Sequence, residues 1–75
     1  MSPARLEISD HAKLRLKQRD ITRQKVRECL AKGKVTGVDL RGRRISEYTT
    51  GQKSLVVIYL EVKGGYLIVT AYWKG

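Results

Sequence analysis

The chain has no phenylalanine, one cysteine, one histidine, one proline and only seven acidic residues among its 75. Each shortage excludes something. A lone cysteine, Cys29, leaves no partner for an internal disulfide. His11, Cys29 and scattered carboxylates supply no clustered ligand set of the zinc kind, so no metal is expected, and no other cofactor. No apolar run approaches the roughly 18 residues of a membrane span. Met1-Ser2-Pro3-Ala4-Arg5 lacks the hydrophobic stretch of a secretory signal, and the chain reads as cytoplasmic. Seventy-five residues make a single domain over 1–75, because two pieces would each be too small to bury a core without metals or disulfides. A large internal catalytic cavity is excluded with them. Any site lies in a shallow surface groove, which suits a polymer or a protein partner.

What the chain has in plenty is positive charge. Sixteen Lys and Arg against seven Asp and Glu give a formal net charge of +9. Residues 1–44 carry 13 basic and 5 acidic side chains, or +8, and residues 45–75 carry 3 and 2, or +1. An excess gathered in one half reads as a footprint for a polyanion, above all nucleic acid. Solubility, or a face that meets an acidic protein, is the competing reading.

Local patterns predict the elements. Leu6 and Ile8 alternate with Glu7 in a short opening strand. Ser9 and Asp10 offer capping oxygens for a helix from about Asp10 to Arg19, which Asp20 breaks. Thr22 caps a second helix ending before Gly33, with Ile21 placed to pack on Val26 and with Val26, Cys29 and Leu30 as its buried stripe. From Lys34 the period becomes that of strands, at about Val35 to Leu40, Arg44 to Thr50, Ser54 to Val62 and Tyr66 to Trp73. Turns as short as Arg41-Gly42-Arg43, Gly51-Gln52-Lys53 and Lys63-Gly64-Gly65 link antiparallel neighbours. The expected fold is α+β, two N-terminal helices on one face of an antiparallel sheet of four to five strands. Leu55-Val56-Val57-Ile58 and Leu67-Ile68-Val69 are apolar on successive residues, which predicts cover on both faces at the sheet centre. Strict alternation puts Tyr59 with Leu55 and Val57, and Tyr66, Ile68, Thr70 and Tyr72 on one face of the last strand.

His11, Arg15 and Arg19 recur at i, i+4, i+8 and fall within one arc of the first helix, with Gln18 at its edge. Lys13 and Lys17 point the other way. The functional reading is a phosphate site, since imidazole exchanges a proton near neutrality and guanidinium grips phosphate bidentately. The structural reading is a hydrogen-bonded network tying the helix to its surroundings. Arg41, Arg43 and Arg44 in one turn suit a nucleic-acid backbone or, equally, a solvated hairpin. Gly37 and Gly42 have the spacing of a phosphate loop, but Arg43-Arg44 stands where Lys-Ser/Thr is needed and no helix follows. Tyr48, Tyr59, Tyr66, Tyr72 and Trp73 all lie in the strand half; such rings stack bases or fill the core. Lys53 lies among them. Cys29 reads as an inert core residue. Glu47, beside the arginine turn, is the better placed of the two acids in this half to act as a base.

Ser9-Asp10-His11-Ala12 with Arg15, then Gln18-Arg19-Asp20-Ile21, Val26, Leu30-Ala31-Lys32-Gly33 and finally Val69-Thr70-Ala71-Tyr72, resembles a family of small bacterial proteins catalogued as a domain of unknown function. Asp20 stands where that family has Gly, and Asp also tolerates the left-handed backbone of a helix end. The family is in turn similar to ribonuclease toxins of the RelE and BrnT type. That resemblance implies a metal-independent endoribonuclease, or an RNA-binding protein, of toxin–antitoxin kind. It would act on single-stranded or ribosome-associated RNA and be neutralised by an acidic antitoxin-like protein. It favours the functional reading of His11 as acid or base, with Arg15 and Arg19 on phosphate and Glu47 or Tyr72 as partner. Arg41, Arg43, Arg44, Lys53, Tyr48 and Tyr59 would contact the nucleic acid. The alternative function is a non-catalytic basic module that binds nucleic acid or an acidic protein.

Overall fold

The computed structural model describes residues 5–75; Met1 to Ala4, read above for a signal, lie outside them. The order is β1 (Arg5–Ile8), α1 (Asp10–Gln18), α2 (Arg23–Lys32), β2 (Lys34–Val38), β3 (Arg44–Thr50), β4 (Lys53–Val62) and β5 (Gly65–Lys74). Both helices begin where a hydroxyl satisfies a free backbone donor. Ser9 Oγ accepts from the Ala12 amide at 3.1 Å and Thr22 Oγ1 from the Lys25 amide at 3.1 Å, each cap contributing about 1 kcal/mol. Between the helices Asp20 takes a φ of 56°, the left-handed bend that a short polar side chain tolerates. No helix among the described residues is long and apolar enough to cross a membrane.

The five strands form one sheet in the order β1-β5-β4-β3-β2. The sheet is mixed, which corrects the expectation of a purely antiparallel one: β1 runs parallel to β5, with Leu6 beside Tyr66 and Ile8 beside Ile68. The hairpin turns do impose antiparallel pairing along β2-β3-β4-β5. β1 is joined to β5 by the whole intervening chain, and no tight turn dictates its direction. Gly65 lets the two strands meet, since a Cβ there would strike the Arg5 backbone.

Both helices pack on one sheet face, and the core between them holds Leu6, Ala12, Leu16, Ile21, Val26, Cys29, Leu55, Val57, Tyr59, Ile68 and Ala71. Ile21 and Val26, the residues flanking the Thr22 cap, both enter it. The other face carries no helix, so the expected double cover is replaced by shielding within the sheet. Val56 is only 1% exposed there, between its strand neighbours Glu47 and Tyr72.

β5 departs from strict alternation. Ile58 pairs with Thr70 but Tyr59 pairs with Ile68, so Val69 is an extra residue and the faces exchange beyond it. Tyr66 and Ile68 face the helices before the bulge, and Ala71 and Trp73 do so after it. Thr70 and Tyr72 therefore lie opposite Tyr66 and Ile68, not beside them. β2 also ends earlier than expected, at Val38, because the Asp39 carboxylate accepts the Arg41 and Arg43 amides at 2.9 Å each and begins the turn. Leu40, expected in the strand, is fully exposed.

Candidate nucleic-acid interface

α1 ends against β5 through a reciprocal lock. The Arg19 guanidinium donates to the Ala71 carbonyl at 2.8 Å, and Trp73 Nε1 donates to the Arg19 carbonyl at 2.8 Å. This holds the indole beside the α1–α2 junction, where the Lys25 ammonium stands 5.2 Å and the Lys53 ammonium 5.9 Å from the ring centroid. Attraction of a cation to the ring face keeps both lysines inward. Around them opens a groove of about 680 Å³, lined among others by Arg19, Asp20, Lys25, Glu28, Tyr48, Lys53 and Trp73. Three cations, two carboxylates and two aromatic rings thus meet in one concavity.

In the arginine turn between β2 and β3 most of the charge is compensated. Arg43 pairs with Asp39, and Arg44 pairs with Glu61 at 3.2 Å. Partial burial pushes the Asp39 carboxyl up, but the hydrogen bonds from Arg43 and Arg41 outweigh it and hold its pKa below the usual 3.8. Of the three turn arginines, Arg41 alone has a guanidinium without an ion pair among the described residues.

The residues singled out from the sequence fall into separate places. Arg19, Tyr48 and Lys53 meet in the groove. Arg15 reaches Gln18 at 3.4 Å, and His11 is exposed at the start of the same helix. Glu47 and Tyr72 stand on either side of Val56 on the helix-free face, where Glu47 pairs with Lys74 at 3.7 Å. No hydrogen bond or ion pair among the described residues joins His11, Arg15 or Arg19 to Glu47 or Tyr72. Tyr59 is buried edge-on to Tyr66, with ring centroids 5.3 Å apart. Its hydroxyl pKa is raised by burial and by the neighbouring Glu61 charge. Cys29 is enclosed, its Sγ 3.5 Å from the Leu55 carbonyl, and burial raises its pKa too. Among the described residues no group of three or more His, Cys, Asp or Glu could hold a metal ion.

Of the groove residues named above, Asp20, Lys25, Glu28 and Trp73 are not among the sequence candidates. Lys25 looked like any solvated helix lysine, and Trp73 was counted only as one aromatic among several. Nothing in the sequence marks Trp73: the apolar run Leu67-Ile68-Val69 fits either phase, and the inserted residue that turns Trp73 to the helices appears only in the pairing of β5 with β4.

The chain matches the family described as Domain of unknown function (DUF4258) over residues 8–73 and belongs to it. No curated protein and no solved structure matches the chain.

Proposed function

We propose that this member of the family binds single-stranded RNA in the groove beside Trp73. The observation that carries the reading is the convergence of Arg19, Lys25 and Lys53 on a site that also holds Tyr48 and Trp73. Rings accept a base by stacking, and cations around them neutralise the adjoining phosphates, which is the common way single strands are held. The net charge of +9 adds attraction at longer range. An acidic protein could use the same charge, but it has no need of two rings among the lysines.

A toxin-type, metal-independent cleavage of the bound strand is the second reading, the one that the toxin resemblance of the sequence motifs implies. The row His11, Arg15, Arg19 favours it, because it leads along α1 from an exposed imidazole to the groove. In that chemistry the 2′-OH attacks the adjacent phosphate and the P–O5′ bond breaks, leaving a 2′,3′-cyclic phosphate and a 5′-OH. His11 serves as the base that takes the 2′-OH proton or as the acid that protonates the departing 5′-oxygen, and an arginine stabilises the phosphorane.

One experiment tests both readings. Labelled single-stranded RNA mixed with the protein in EDTA is retained in a filter or mobility assay under the first, and is retained and cut under the second. His11→Ala then lowers cleavage about 10² to 10⁴-fold while melting temperature and affinity stay near those of the unaltered protein. Absence of retention at low salt contradicts the binding reading, and a fully active His11→Ala protein contradicts the catalytic one.

A further inference from the structure

The groove contains two groups for which a phosphate backbone has no use. Among the described residues four of the seven acids are in ion pairs: Glu7 with Arg5, Asp39 with Arg43, Glu47 with Lys74 and Glu61 with Arg44. Asp10 sits in the first turn of α1, where the helix dipole favours an anion. Asp20 and Glu28 remain, and both line the groove. A channel that only tracked phosphates would repel its ligand at these two carboxylates. A ligand that brings hydrogen-bond donors, by contrast, finds acceptors there.

In RNA such donors are ribose hydroxyls and base N–H groups, and a base is the part that lies flat on a ring. Guanine alone among the four bases presents two parallel donors, N1–H and the exocyclic N2–H, spaced to meet both oxygens of one carboxylate. Cytosine and adenine set one amine beside a ring-nitrogen lone pair, and uracil sets one N–H between two carbonyls; each places a repelling acceptor against the second oxygen. Glu28 is the carboxylate placed for this. It is half-buried on α2, one turn beyond Lys25, whose ammonium lies against Trp73, and residues three apart share a helix face.

We propose that the groove is a guanine site, an assignment that rests on the RNA-binding reading above. The base stacks on the Trp73 indole and donates N1–H and N2–H to the Glu28 carboxylate. Lys25 and Lys53, over the ring in the free protein, turn to the flanking phosphates.

The test uses the full chain and fluorescein-labelled r(U4GU4), its A, C and inosine counterparts, and r(U9). The G oligonucleotide should bind about tenfold more tightly than the A, C and U ones, with inosine, which lacks the N2 amine, in between. Glu28→Gln, checked for an unchanged melting curve, should bring the G oligonucleotide down to the level of r(U9). Equal affinity for all five overturns the guanine assignment and leaves RNA binding standing. No binding of any overturns both. A guanine preference that survives Glu28→Gln overturns the role given to Glu28.

Discussion

β3 has a basic region at each end, and the two are built in opposite ways. At its start the turn holding Arg41, Arg43 and Arg44 is rich in charge but consumes most of it. Asp39 takes two backbone amides and the Arg43 guanidinium, and Glu61 takes Arg44. At its other end Tyr48 opens into the Trp73 groove, where Lys25 and Lys53 rest on an indole and have no ion pair with a carboxylate among the described residues. A lysine on a ring is easily redirected to phosphate, because the interaction is worth only about 0.5–1 kcal/mol at an exposed site. An arginine already bonded to a carboxylate must first lose that partner. Counting arginines points to the turn; asking where unpaired cations stand beside aromatic rings points to the groove.

The comparison breaks most sharply at Trp73. Trp73→Ala should weaken binding of single-stranded RNA about 10- to 100-fold, the effect of removing one stacking ring, measured by fluorescence anisotropy. If the turn is the true contact, affinity will barely move. The next effect belongs to the lysines. With Arg19, Lys25 and Lys53 on phosphates, log K should fall with log salt at a slope of about −2, and the double change Lys25→Gln and Lys53→Gln should bring it to about −0.7, at about 0.7 per contact. Smaller still is the turn itself. Arg41→Gln should alter the slope by at most about 0.7, and Arg43→Gln should leave it unchanged.

The smallest effect is on acid stability. Asp39 has a lowered pKa in the folded chain, so its contribution to stability is complete above its unfolded pKa near 4 and is lost as pH falls through the folded value. Asp39→Asn should therefore melt at a lower temperature than the unaltered protein at pH 6, and the gap should narrow towards pH 2. A gap that stays constant with pH would mean that the Asp39 charge does not hold the turn.

How much of this could be read from the sequence depends on whether the cause was local. Ser9, Thr22 and Asp20 act within a few residues of their own positions, and the helix limits follow from them. Short turns with Gly42, Gly51 and Gly64 at positive φ impose the antiparallel run from β2 to β5. The direction of β1 has no local cause. Nor has the bulge at Val69, which exists only because β5 pairs with β4, and it decides that Trp73 faces the helices and Tyr72 does not. The candidate site was legible in part for the same reason: Arg19, Tyr48 and Lys53 stood out as types, but their meeting is a product of the bulge and of the lock between Arg19 and β5. Cys29 was the easier reading, since its place in the α2 stripe is a local fact.

In the proposed complex the unpaired lysines and rings at the far end of β3, not the arginine turn, meet the nucleic acid. That arrangement is tested most directly by titrating ¹⁵N-labelled protein with single-stranded RNA and following the amide and indole resonances. The Trp73 Nε1–H signal and the amides of Lys25, Glu28, Tyr48 and Lys53 should shift together, while those of Asp39 to Arg44 stay in place. Shifts confined to Asp39 to Arg44, with the indole signal unmoved, would contradict it.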